Sequence, residues 1–98
     1  MTDERIIKGF LSGERDAYHL VEKWIGEVIS RKLWVEDISS EDILADVRLK
    51  LLLIFKQDSF SLSSNLKAFV QTVTRNTLID CIRSYKRAKL RFKAIPEE

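Results

Sequence analysis

Glu14-Arg15-Asp16-Ala17-Tyr18-His19-Leu20-Val21-Glu22-Lys23-Trp24-Ile25-Gly26-Glu27-Val28-Ile29-Ser30-Arg31-Lys32-Leu33 decides the fold class. Ala17, Leu20, Val21, Trp24, Ile25, Val28 and Ile29 recur at steps of three and four. That period draws one apolar stripe along a helix and would scramble the two faces of a strand. A helix is therefore predicted from about Glu14 to Leu33. Working outward, Ile6, Ile7 and Phe10 mark a short helix from about Asp3 to Leu11, closed by Gly13. Trp34 to Ser39 is a connector.

A third helix is predicted from about Ser40 to Gln57. Ser39 can accept a backbone N–H bond at its start, and Glu41 and Asp42 suit the positive end of its dipole. Asp58 to Ser64 is a serine-rich loop, and Ser63 or Ser64 is the predicted cap of a fourth helix. That helix should run from about Asn65 to Lys89 or beyond. Its early apolar stripe is narrow (Leu66, Phe69, Val70, Val73). After Asn76 the apolar residues Leu78, Ile79, Cys81 and Ile82 spread around it, so either the helix bends there or its surroundings change.

The composition agrees with helices. Three Gly and one Pro in 98 residues leave little turn chemistry. The expected fold is all-α, a compact bundle of about four helices. Residues 1–93 form one domain, and Ala94 to Glu98 begin a linker or tail. The longest apolar run, Leu51 to Phe55, is too short to span a membrane. With no secretory leader and Cys81 as the only cysteine, a reducing cytoplasm is the expected compartment.

Charge is divided along the chain. Lys67 to Lys93 contains eight Lys and Arg and a single acid, Asp80, whereas residues 1–66 hold nine bases and twelve acids. The basic end points to a polyanion and the acidic end to a protein. On the fourth helix Lys67, Gln71 and Arg75 form a row at four-residue steps. Arg83 and Lys86 extend it, Arg87 follows, and Asn76 is expected beside it. Such a row can follow a phosphate backbone and release counterions, and Asn can pair with a base edge. The plainer reading is a solvated helix face with a basic tail. On the third helix Ile43, Leu44, Val47, Leu51, Ile54 and Phe55 should face the core. Ala45, Leu49, Leu52 and Leu53 fall opposite them, beside Glu41, Asp42 and Asp46. This is either a protein-binding face with an acidic rim or a central helix buried on both sides.

Ser39-Ser40-Glu41-Asp42-Ile43-Leu44-Ala45-Asp46-Val47 resembles the acidic helix of region 2 of bacterial RNA polymerase sigma factors. The second signature of that region is similar to Leu66-Lys67-Ala68-Phe69-Val70 followed by Val73-Thr74-Arg75-Asn76-Thr77-Leu78-Ile79-Asp80. Phe10-Leu11-Ser12-Gly13, with Ala17 behind it, fits the extracytoplasmic-function group. Order and spacing carry the resemblance, which spans nearly the whole chain.

The resemblance implies a region 2 domain with two tasks. Glu41, Asp42, Ala45, Asp46 and Leu49 would dock on the clamp coiled coil of the largest subunit of core RNA polymerase. The fourth helix and the loop before it would read the minus-ten promoter element as single-stranded non-template DNA with one base flipped out. Asn76 would stand beside the base pocket, and Phe60, Ser61, Leu62, Ser63 and Ser64 would form its wall. Lys67, Arg75, Arg83 and Lys86 would hold phosphates. Unstacking a base costs a few kcal/mol, which pocket contacts offset in part. An anti-sigma protein is a further partner of the class.

The chain departs from the family at Ala45, where Gln is usual, and at Arg48, Leu52 and Phe69, where aromatics are usual. Ala45 removes one polar contact with the clamp. Phe60, Phe69 and Tyr85 are the remaining candidates for a strand-separating wedge, with Phe69 assigned to the core. The family's second, helix-turn-helix domain has no counterpart here. The expectation is therefore an excised domain or a chain that works with a partner. The rival reading is a module that docks on polymerase and modulates it without reading a promoter.

The remaining residues suggest no catalysis. His19 stands alone, with no Cys/His cluster for a metal, and is assigned to the helix surface or to packing. Cys81 is expected to be a small core residue, and Trp24 to be structural. No Gly-rich phosphate loop, catalytic carboxylate pair or nucleophile triad is present. Neither enzyme activity, cofactor nor metal is expected.

Overall fold

A computed structural model describes residues 2–32, 39–62 and 65–94, with side chains placed at 2–31, 39–62 and 65–88. Its described residues form four helices and no strands: α1 (Asp3–Ser12), α2 (Arg15–Lys32), α3 (Ser40–Phe55) and α4 (Leu66–Ala94). The connector around Trp34, and Ser63 and Ser64, lie outside the described residues.

The α1–α2 turn follows from one glycine. Gly13 adopts φ 80°, a left-handed conformation that side chains resist. The Glu14 amide then donates to the Gly9 carbonyl at 2.8 Å, and the Gly13 amide to Phe10 at 3.3 Å. These two bonds satisfy the last carbonyls of α1 and turn the chain back on itself. At the other end, Thr2 Oγ1 accepts from the Arg5 amide.

The α2 stripe is the centre of the bundle. Ala17, Val21, Ile25, Val28 and Ile29 are buried, while Leu20 and Trp24 are half-buried at its margins. α2 packs against each of the other three helices, and α4 rests on α2 and α3. Ile6 and Phe10 enter from α1, Ile43, Val47, Leu51 and Phe55 from α3, and Leu66, Val70 and Leu78 from α4. Aromatic rings bind the far end together. Phe10 stacks on Tyr18 at 4.6 Å and meets the edge of Phe55 at 6.0 Å. Phe55 in turn touches Phe60 and Phe69, whose centroids lie 5.4 Å apart.

Helix starts follow local chemistry. Ser39 Oγ accepts from the Asp42 amide at 3.4 Å, as expected for the cap of α3. The cap of α4 is Asn65 and not the expected Ser63 or Ser64: α4 begins at Leu66, and Asn65 Oδ1 accepts from the Ala68 amide at 2.8 Å. A second acceptor comes from a distance: Asp3 Oδ2 takes the Leu66 amide at 3.0 Å. One carboxylate thus sits in the first turn of α1 and at the positive end of α4.

α4 continues unbroken past Asn76, and its surroundings change instead. Its inward side is buried from Leu66 to Leu78, Cys81 and Ile82 are half-buried, and Arg83 and Ser84 are exposed. Thr74 and Thr77 are buried, which sequence patterning did not anticipate. Each hydroxyl donates to the carbonyl four residues earlier at 2.8 Å, so neither is left unsatisfied. No helix among the described residues is long and apolar enough to cross a membrane.

Candidate functional site

α3 exposes the face opposite its core stripe. Leu49 and Leu53 are 56% and 58% exposed, and Ala45, Glu41 and Asp42 are exposed beside them. The alternative of a helix buried on both sides is thereby excluded. Leu52 lies half-buried against the core.

Asp46 is also half-buried. Its carboxylate lies 3.7 Å from Lys50, whose ammonium donates to Thr77 Oγ1 at 3.1 Å. Asp46 is therefore tied to the α3–α4 contact as well as to the acidic rim. Glu41 also reaches a groove of about 340 Å³ between α2 and α3, lined further by Glu22, Gly26, Ile29, Ser30, Ser40 and Leu44.

The cation row on α4 does not run straight. Four-residue steps overshoot a helical turn by about 40° each, so Lys67, Gln71 and Arg75 wind around the helix. Lys67 and Gln71 lie at the α2 edge. Lys67 Nζ is 3.7 Å from Glu27, and Gln71 Nε2 donates to Glu27 Oε2 at 3.2 Å and to the Trp24 carbonyl at 3.3 Å. Nine residues at about 100° each carry Asn76 to the side of α4 away from Lys67. Asn76, expected next to the row, shares the side of its later members, Arg83 above all, and not that of Lys67. Arg75, Asn76, Arg83, Lys86 and Arg87 are all exposed, and they cover the outward side of the helix.

In the loop before α4, Phe60 is half-buried in the Phe55–Phe69 ring cluster, and Leu62 packs against the core. These contacts anchor the loop and leave Phe60 unsuited to a free wedge; Ser61 is exposed. Phe69 is half-buried and packs against the core cluster. Ser63 and Ser64 complete the expected wall but fall outside the described residues.

Glu27 and Lys50 were not singled out from the sequence. Their importance lies in contacts across 44 and 27 residues, which no local pattern announces. Cys81 is half-buried, and its thiol is pushed above its ordinary value of 9.0, first by burial and then by the Asp46 and Asp80 carboxylates. His19 is exposed on α2. Among the described residues no group of His, Cys, Asp and Glu is placed to hold a metal.

Comparison with protein-family models, with curated proteins and with solved structures finds no match for this chain.

Proposed function

We propose that this chain is a sigma-factor region 2 domain of the extracytoplasmic-function type. It binds core RNA polymerase and holds the non-template strand of the minus-ten element. One observation carries the reading: two signatures in the family's order and spacing lie on successive long helices with exposed surfaces of opposite chemistry. α3 offers Glu41, Asp42, Ala45 and Leu49, a part-apolar, part-acidic face suited to a protein surface of complementary charge. α4 offers Arg75, Arg83, Lys86 and Arg87 for phosphates, with Asn76 among them for a base edge. The cations set affinity and the asparagine sets preference. Protein docking and strand binding do not compete for a side chain.

The test is capture of core polymerase combined with crosslinking to non-template promoter DNA. Leu49→Arg is the cleaner probe of docking, because Leu49 is exposed whereas Asp46 also contacts Lys50. It should abolish capture, and unchanged capture refutes the docking face. Asn76→Ala should erase a preference at one promoter base. A base preference identical to that of the parent protein refutes base reading.

A second reading is favoured by the engagement of Lys67 and Gln71 with Glu27 and by the packing of Phe60. With these groups occupied, the chain would dock on polymerase and modulate it without reading a promoter. Capture with no crosslink to promoter DNA selects this alternative.

A further inference from the structure

Three large apolar side chains are exposed among the described residues: Leu49, Leu53 and Ile79. Their surroundings differ. On α3, Leu49 has Ala45 and Asp46 four and three residues before it and Leu53 has Leu49 and Lys50, a mixed face, whereas Ile79 is on α4, 46% exposed. On a helix the neighbours of a residue lie three and four positions away. For Ile79 these are Arg75 and Asn76 on one side and Ile82 and Arg83 on the other, with Lys86 one turn further; all are exposed except Ile82, which is half-buried against the core. Asp80 follows in the chain but points about 100° around the helix. Ile79 is thus an exposed isoleucine framed by three cations and an amide, continuous on one side with the half-buried Ile82 and with no acid three or four residues away.

A partner that covers this face must be anionic at its margin and apolar where it meets Ile79. A folded acidic protein matches the cations but would have to bury their charges around a single methyl-rich contact. A single strand of nucleic acid offers both parts at the natural spacing, with phosphates along its edge and flat base faces beside them. Apolar side chains inserted at base steps are a known means of holding unstacked bases.

We propose that Ile79 is a base-contacting residue, an aliphatic platform on which one base of a bound single strand rests while Arg75, Arg83 and Lys86 hold the flanking phosphates. The proposal rests on the nucleic-acid reading above and adds to it a contact with the base face, distinct from the edge contact assigned to Asn76. Base-face contact is indifferent to sequence, so Ile79 contributes affinity without preference. It is also uncharged, so its contribution persists at high salt.

The experiment measures binding of a short fluorescent oligothymidylate, and of an abasic strand of the same length, over a range of salt. The parent protein should bind the thymidylate more tightly than the abasic strand. Ile79→Ala should weaken thymidylate binding about fivefold, consistent with partial loss of a few buried methyl and methylene contacts. It should leave the salt slope unchanged and bring the two strands close to equal affinity. Ile79→Lys separates face contact from charge: it steepens the salt slope yet still fails to distinguish thymidylate from abasic DNA. Both variants alter an exposed position, and unchanged helical circular dichroism verifies their fold. Parent-like discrimination by either variant overturns the role of Ile79 and leaves the nucleic-acid reading intact. No binding of either strand by the parent protein overturns both.

Discussion

Gly9 shows how one atom positions a helix. A Cβ built there would lie 2.8 Å from the Cβ of Ala17 and 2.7 Å from Glu14 Oε2. The glutamate can swing away, but the Ala17 methyl is fixed to α2. Alanine favours a helix interior over glycine by about 1 kcal/mol, while overpacking costs roughly 1–3 kcal/mol. Gly9→Ala should therefore lower stability by a net of about 1 kcal/mol, read as an earlier urea midpoint. A stabilised variant would show that α1 shifts freely on α2. Cys81 makes a second residue-scale prediction. Its raised pKa keeps the thiol protonated, and the thiolate is the reactive form. Alkylation at pH 8 should be slower in the folded protein than in urea. Asp46→Asn should speed it only modestly, since burial is the larger cause of the shift.

At the scale of elements, α4 depends on the start of α1. Asp3 accepts the Leu66 amide, and Asn65 accepts the Ala68 amide. Removing a helix cap costs about 1 kcal/mol. Asp3→Ala should lower stability by about that amount and speed hydrogen exchange at the Leu66 amide, with the centre of α2 unaffected. Equal exchange at Leu66 would mean that the local cap suffices. The helices themselves were legible in the sequence. Apolar period placed α2, Gly13 closed α1, and Ser39 opened α3. The predicted ends were one or two residues out: α3 stops at Phe55, before Gln57, and α4 begins after an Asn65 cap. Such ends are decided by competing acceptors. Asp3 was invisible as one because it stands 63 residues away from its donor.

Across the whole molecule, two surfaces sit on different helices and should act independently. If Arg75, Arg83, Lys86 and Arg87 each neutralise one phosphate, oligonucleotide affinity should fall with salt at a log–log slope of about −3, at roughly 0.7 per contact on a single strand. Arg83→Glu should flatten that slope and leave polymerase capture unchanged, whereas Leu49→Arg should do the reverse. A variant that impairs both activities would show that the faces are coupled. The segregation of charge was readable from composition, and the four-residue row Lys67–Gln71–Arg75 winds about 80° around the helix. Four-residue spacing brings side chains near one another without keeping them on one side of a long helix. Through contacts that sequence spacing cannot express, Glu27 on α2 holds Gln71 and lies 3.7 Å from Lys67, which stays 51% exposed.

The chain alone determined that there would be about four helices, which stripe α2 would bury and that acid and base would part company. These properties follow from apolar period and local backbone chemistry, which act over a few residues. Packing alone decided that Leu49, Leu53 and Ile79 would remain in water, that Phe60 would enter a ring cluster and that Asp3 would cap a distant helix. A helix's pattern specifies which residues share a side, but the number of neighbouring helices decides which sides are covered. α2 and α3 each meet the other three helices and α4 rests on α2 and α3, and the sides of α3 and α4 that carry Leu49, Leu53 and Ile79 stay uncovered; those outward faces are the candidate binding surfaces.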